Sequence, residues 1–213
     1  MSQTQQQIAA RLMRDHGSTF ASEAGIQLAD EPGPLWQLLI LAQLLSTRIS
    51  SDTALATARG LWAEGWTTPA ALRRSTWNQR VAALGRGGYR RYDFSTATRL
   101  DANATMINSR WGDDLRRLRD ESGSPAKISK QLQAFDGIGP LGASIFLRDV
   151  QAVWPSVRPY ADKLVTKGAT TAGLPDDPAQ LASLVGPDEF AHLAAALVRV
   201  ARKPSTLRQT QGA

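Results

Sequence analysis

The chain is predicted to be all-α on three observations. Apolar residues recur at helical spacing, without the alternation of a half-buried strand. Caps followed by proline, at Thr68-Pro69, Ser124-Pro125 and Asp177-Pro178, mark where helices open. Hydrophobic residues make up 42% of the 213, enough to build the core of one large domain or two small lobes.

The spacing predicts a first helix over residues 5–15. A second, running from about Pro34 to just before Ser46, is apolar nearly all round, as suits a central buried helix. Ser51-Asp52 opens a segment carrying Leu55, Ala58, Leu61 and Trp62 at helical spacing. Thr68-Pro69 starts a short helix anchored by Leu72. Ser75 or Thr76 starts the next, with Val81 and Leu84 inside, and Gly85-Arg86-Gly87-Gly88 ends it. A longer helix is expected over 89–108 and an amphipathic one over 113–121. Ser124-Pro125 leads a helix through Ile128 and Leu132 to Phe135. The chain turns at Asp136-Gly137-Ile138-Gly139-Pro140 and resumes through Ile145 and Leu147. After Trp154-Pro155 follow a helix near 162–166, a segment starting near Asp177-Pro178, and a final one that starts near Pro187 and runs as a helix over 190–202. The tail after Pro204 is expected to be loose.

Lys and Arg number 25 against 19 Asp and Glu, a formal net charge of +6. The excess favours a polyanionic partner, without separating DNA from RNA or an acidic protein. Cysteine is absent, which excludes structural disulfides, a thiolate nucleophile, cysteine–zinc sites and a cysteine-ligated iron–sulfur cluster. The two histidines, His16 and His192, lack evident co-ligands and read as surface and helix-face residues. The polar N-terminus has no signal-peptide pattern. The longest apolar run, residues 35–45, is broken by Gln37 and Gln43 and is too short to span a bilayer. An intracellular monomer, cytoplasmic or nucleoid-associated and without membrane contact, is the expectation.

The sharpest local motif is the corner Phe135-Asp136-Gly137-Ile138-Gly139-Pro140-Leu141-Gly142-Ala143. One helix ends, two glycines flank an apolar residue, and a second helix starts at once. Gly137 and Gly139 let the backbone turn tightly and come close to a partner, while Ile138 can pin the two helices from within. The second helix then presents amides at Gly139, Leu141 and neighbours from which a phosphate oxygen can accept. Small Gly142 and Ala143 leave the helices room to approach. Such an element reads phosphate rather than base edges. The plain alternative is a helix–turn–helix corner with no ligand.

With this motif the chain resembles the helix-hairpin-helix superfamily of DNA glycosylases, particularly its endonuclease III-like branch. Leu38-Leu39-Ile40 and Leu44-Leu45-Ser46 resemble the family's buried early helix and the loop after it. Leu84-Gly85-Arg86-Gly87-Gly88-Tyr89-Arg90-Arg91 resembles its glycine-plus-tyrosine turn, and Asp188-Glu189-Phe190 the start of its last helix. The resemblance implies two helical lobes: a central one over 34–153 and a discontinuous one from 1–33 with 154–213. It further implies double-stranded DNA as partner, possibly damaged or abasic, with a nucleotide turned out of the stack. DNA-contacting candidates are Arg48, Arg86, Tyr89, Arg90, Arg91, Gly137, Ile138, Gly139, Leu141, Gly142 and Lys163. The resemblance also implies a monovalent cation on the turn carbonyls of Gln133, Phe135 and Ile138, and no other cofactor.

Two departures shape the expected chemistry. Leu141 stands where bifunctional members carry the lysine that attacks the sugar, so a Schiff-base lyase is not expected. The chain also lacks the cysteines that hold a cluster after the last helix in many relatives. For the family acid, aligning the preceding Trp-Pro selects Tyr160, whereas aligning the following apolar helix selects Asp162, as in the alkylpurine glycosylase branch. Asp162 is preferred because carboxylate identity and helix register agree. Its task would be to stabilise positive charge on the sugar and orient a water; the alternative is a simple helix cap. The expectation is a monofunctional DNA N-glycosylase for base-excision repair. Its rivals are a catalytically inactive protein that binds abasic, gapped or bent DNA, and a helical protein-interaction module. The six tryptophans are assigned to core and lobe junctions.

Overall fold

A computed structural model describes residues 3–207, and among these residues every regular element is helical. The tail after Pro204, expected to be loose, instead packs on its unit as far as residue 207, with Thr206 6% exposed and Leu207 against the core, and residues 208–213 lie outside the described residues. In chain order the helices are α1 (Gln3–His16), α2 (Phe20–Glu23), α3 (Pro32–Leu45), α4 (Ser51–Ala63), α5 (Pro69–Arg73), α6 (Trp77–Arg86) and α7 (Asp93–Trp111). They continue as α8 (Leu115–Ser122), α9 (Pro125–Leu132), α10 (Pro140–Val150), a 3-10 turn (Pro155–Val157), α11 (Lys163–Thr171), α12 (Pro178–Ala182) and α13 (Phe190–Arg202).

The chain divides into two compact units, Phe20–Leu147 and a discontinuous one built from Met1–Thr19 with Arg148–Ala213. In the first, α3 is the central rod. Leu35, Trp36, Leu38 to Leu41 and Leu44 are all buried, so no face of it meets solvent broadly. The helix packs with α4 and α8, and α7 runs beside α5 and α6. Local chemistry sets the starts. Ser50, Thr68, Asp114 and Ser124 each cap a helix through a side-chain oxygen, and Thr76 with Gln79 forms a reciprocal capping box.

The second unit is a core of α1, α11, α12 and α13. Ala9, Leu12, Val165, Ala169, Leu181 and Phe190 pack with Leu193, Leu197 and Val200. Gly168 on α11 lets α13 approach to backbone contact: a Cβ there would lie 2.0 Å from the Leu197 carbonyl oxygen. His192 ties the start of α13 to the end of α1, its Nδ1 lying 2.8 Å from the Gly17 carbonyl oxygen.

Helix boundaries depart most from expectation at α7, α9 and α11. The long helix begins at Asp93 rather than at residue 89, because Tyr89 is drawn into the core, 1% exposed, by the turn through Gly88. It runs to Trp111 and stops where Gly112 and Asp113 both take positive φ. α9 ends at Leu132, short of Phe135, whose ring packs 5.7 Å from that of Trp111. α11 reaches Thr171, and the short α2 carried no periodic signal. Trp36, Trp66, Trp111 and Trp154 are buried, as assigned, but Trp77 is 41% exposed against the still more open Phe94.

Candidate functional site

The corner between α9 and α10 is held from behind by polar side chains of the same unit. Asn103 on α7, 2% exposed, brackets the backbone of Asp136. Its Oδ1 accepts from the Asp136 amide at 2.7 Å, and its Nδ2 donates to the Asp136 carbonyl at 2.9 Å. The same Nδ2 lies 3.3 Å from Oε1 of buried Gln43 on α3. Ser46, which follows α3, donates to the Gln43 carbonyl at 2.8 Å and lies 3.4 Å from the Gly137 carbonyl. Gly137 adopts φ +82, a conformation that side chains disfavour, so the turn needs glycine there. A Cβ at Gly137 would also come within 3.1 Å of Arg99 Cδ and Gln43 Nε2.

Ile138 is 4% exposed and folds inward against Gly142, where a Cβ would meet its Cγ2 at 3.3 Å. Its amide donates to the Phe135 carbonyl at 3.0 Å. Gly139, Pro140 and Leu141 face outward, Leu141 at 43% exposure. No acceptor among the described residues takes the Gly139 or Leu141 amide. A Cβ on Gly139 would point into open space. The corner therefore offers unspent donors at the first turn of an eleven-residue helix, where the macrodipole favours negative charge.

Other sequence candidates gather at the end of α3. Thr47 accepts from the Tyr89 hydroxyl at 3.0 Å, Tyr89 packs 6.2 Å from Tyr92, and the Arg91 guanidinium lies 5.5 Å from the Tyr92 ring centroid. Arg48 follows Thr47 directly and is exposed, as are Arg90 and Arg91. None of these three, nor Arg99, makes an ion pair among the described residues. Arg86, by contrast, is paired with Glu64. Asp136 is the exposed carboxylate of the turn itself.

Asp162 and Tyr160 lie in the discontinuous unit, and the structure gives each a definite local role. Asp162 caps α11: its Oδ1 accepts from the Leu164 amide at 3.0 Å and the Val165 amide at 3.1 Å. Its Oδ2 faces Arg148, 3.6 Å from Nη1. Tyr160 is fixed through its backbone by buried Gln151, which accepts from its amide at 2.8 Å and donates to its carbonyl at 3.1 Å. Lys163, the first residue of α11, is exposed.

Four residues escaped the sequence reading: Gln43, Arg99, Asn103 and Arg148. Asn103 shares the α7 face of Leu100, Ala104 and Ile107, and a polar residue in apolar register was the available signal. Arg148-Asp149 likewise interrupts the apolar stretch that closes α10. Arg99 had no signal, because its place beside Gly137 is a tertiary contact.

Among the described residues no cluster of three or more His, Asp or Glu side chains could hold a metal ion, and the chain has no cysteine. The described helices include none long and apolar enough to cross a membrane. The turn carbonyls of Gln133, Phe135 and Ile138 are oxygen donors of the kind an alkali cation accepts, with Phe135 already shared with an amide. No protein-family model matches the chain, and no curated protein matches it.

Proposed function

We propose that the chain binds the sugar–phosphate backbone of double-stranded DNA through the α9–α10 hairpin, and that it is a monofunctional DNA N-glycosylase. One observation carries the binding half. The exposed Gly139 and Leu141 have amides with no acceptor among the described residues, Arg99 lies beside Gly137, and Arg48, Arg90 and Arg91, without an ion pair among the described residues, are exposed at the end of α3 and in the turn that reaches it through Tyr89. Backbone donors combined with mobile cations fit phosphate and carry no base code, so binding is sequence-tolerant and weakens with salt. A monovalent cation held by the Gln133, Phe135 and Ile138 carbonyls would add a further positive charge there.

The chemical half assigns the acid to Asp162. As the bond between base nitrogen and C1′ breaks, its electron pair leaves with the base and positive charge grows on the sugar. The carboxylate stabilises that charge and takes one proton of a water whose oxygen bonds to C1′; that proton is then given up to the departing base, which carries the electron pair of the broken bond. Leu141 has no amine, so the sugar is left as an intact abasic site. A second reading, a non-catalytic protein for abasic or bent duplexes, draws on the capping role of Asp162, whose Oδ1 is committed to two amides.

The test is a panel of lesion-bearing duplexes, with released bases measured by mass spectrometry and borohydride trapping run in parallel. The proposal expects base release from one substrate without a trapped adduct, lost in Asp162→Asn. A trapped adduct rejects the monofunctional reading. Binding without release across the panel leaves the second reading standing in its place.

A further inference from the structure

Arg148 ends up in an unusual environment for a guanidinium. It is 3% exposed, and neither Nη1 nor Nη2 has a hydrogen-bond acceptor among the described residues. The Asp162 Oδ2 at 3.6 Å lies beyond hydrogen-bond length, so the attraction is Coulombic. Burial pulls the guanidinium below its ordinary pKa, and the nearby charge of Asp162, then Asp149, works against that shift. A buried ion with unspent donors adds little stability, and an apolar residue of similar volume would avoid its desolvation cost. Its presence therefore calls for a role other than holding the fold.

The geometry at Asp162 supplies one. A capping aspartate has two equivalent oxygens, and either can take the helix amides. Here Oδ1 takes both amides while Oδ2 is turned to the buried cation. Gln151 clamps the Tyr160 backbone two residues earlier, so the approach to Asp162 is held as well. The side chain is 14% exposed, so the carboxylate is not sealed off. Arg148 Nη1 and Nη2 are, so neither can meet a ligand directly.

We infer that Arg148 is a positioning residue: it fixes the Asp162 carboxylate in one orientation, with Oδ1 spent on α11 and Oδ2 kept as the charged acceptor for a cationic sugar centre. This rests on the reading of Asp162 as the acid. It predicts that removing the arginine costs electrostatic selectivity and not general DNA affinity. A simple counter-charge would do the reverse, because its removal would strengthen the pull of Asp162 on a cation.

Two duplexes of one sequence test this with the full chain. One carries a pyrrolidine abasic analogue, cationic where the sugar cation would form; the other carries its neutral tetrahydrofuran counterpart. The wild type should prefer the cationic duplex, and Asp162→Asn should lose that preference. Arg148→Met should reduce the preference about tenfold while binding the neutral duplex as before. Arg148→Lys, a point charge without the planar fork, should reduce it about threefold and serves if the methionine variant does not fold. A preference unchanged or raised in Arg148→Met, with neutral-duplex affinity intact, overturns the inference; so does an unchanged preference in Arg148→Lys. Equal wild-type affinity for the two duplexes is a different failure: it removes Asp162 as the acid and the inference with it.

Discussion

Replacing Gly139 by alanine separates what the hairpin corner does for folding from the phosphate binding proposed for it. A Cβ at this position meets nothing within 4 Å, and Gly139 does not use the positive-φ conformation that its neighbour Gly137 requires. Alanine should therefore leave stability unchanged or raise it by about 0.5 kcal/mol, by narrowing the unfolded ensemble. The new methyl would stand where a phosphate must come to accept the adjacent amides. An amide–phosphate bond is about 2.9 Å long, whereas carbon–oxygen contact needs well over 3 Å, so the bond must lengthen or break. Loss of one charge-assisted hydrogen bond is worth about 1.5–3 kcal/mol, or roughly ten- to a hundredfold in affinity. Gly137→Ala is the counterpart. Left-handed φ costs a side chain about 1–2 kcal/mol, and its Cβ would also press on Arg99 and Gln43 at 3.1 Å. That variant should lower the urea midpoint, while Gly139→Ala should not. Fluorescence anisotropy on an abasic-analogue duplex at low salt, beside urea melts of both variants, reads the two effects apart. A Gly139→Ala protein that binds like wild type would show that the corner does not meet the backbone.

Two further perturbations probe the scaffold. Asp113, whose carboxyl is held below its ordinary range chiefly by hydrogen bonds from Arg73, stabilises the protein above its unfolded pKa of about 3.9. That contribution disappears as pH falls through the lower folded value. Asp113→Asn keeps a residue type tolerant of φ +67 and should cost more stability at pH 7 than at about pH 2; equal costs at both in urea melts would contradict the pairing. Gly168→Ala should destabilise the discontinuous unit by about 3 kcal/mol or more, because its Cβ would lie 2.0 Å from the Leu197 oxygen. Gly60→Ala, with nothing within 4 Å, should melt no lower than wild type and serves as the control.

Helical class, caps and the apolar rod of α3 could be read from the residues, because they rest on interactions within a few positions of one another. Thr68, Thr76, Ser124 and Asp177 carry their capping oxygens next to the amides they satisfy. Helix α13 ran over the expected residues for the same reason: its apolar face is continuous and its length is set by that face. Where a boundary slipped, at Tyr89 and at Phe135, a large side chain had left its helix to reach the core. Burial of that ring outweighed the few tenths of a kcal/mol that local propensity contributes.

The site divides along the same line. Two glycines around Ile138 announced a tight corner, since backbone freedom is written in residue type. That Asn103, Gln43 and Ser46 hold it from behind, with Arg99 beside it, emerged only on folding, because these partners lie tens of residues away and act through buried hydrogen bonds. For Asp162, a carboxylate before an apolar helix was enough to mark a cap. Which of its oxygens is spent, and which one faces a buried arginine, is a property of side-chain geometry in three dimensions.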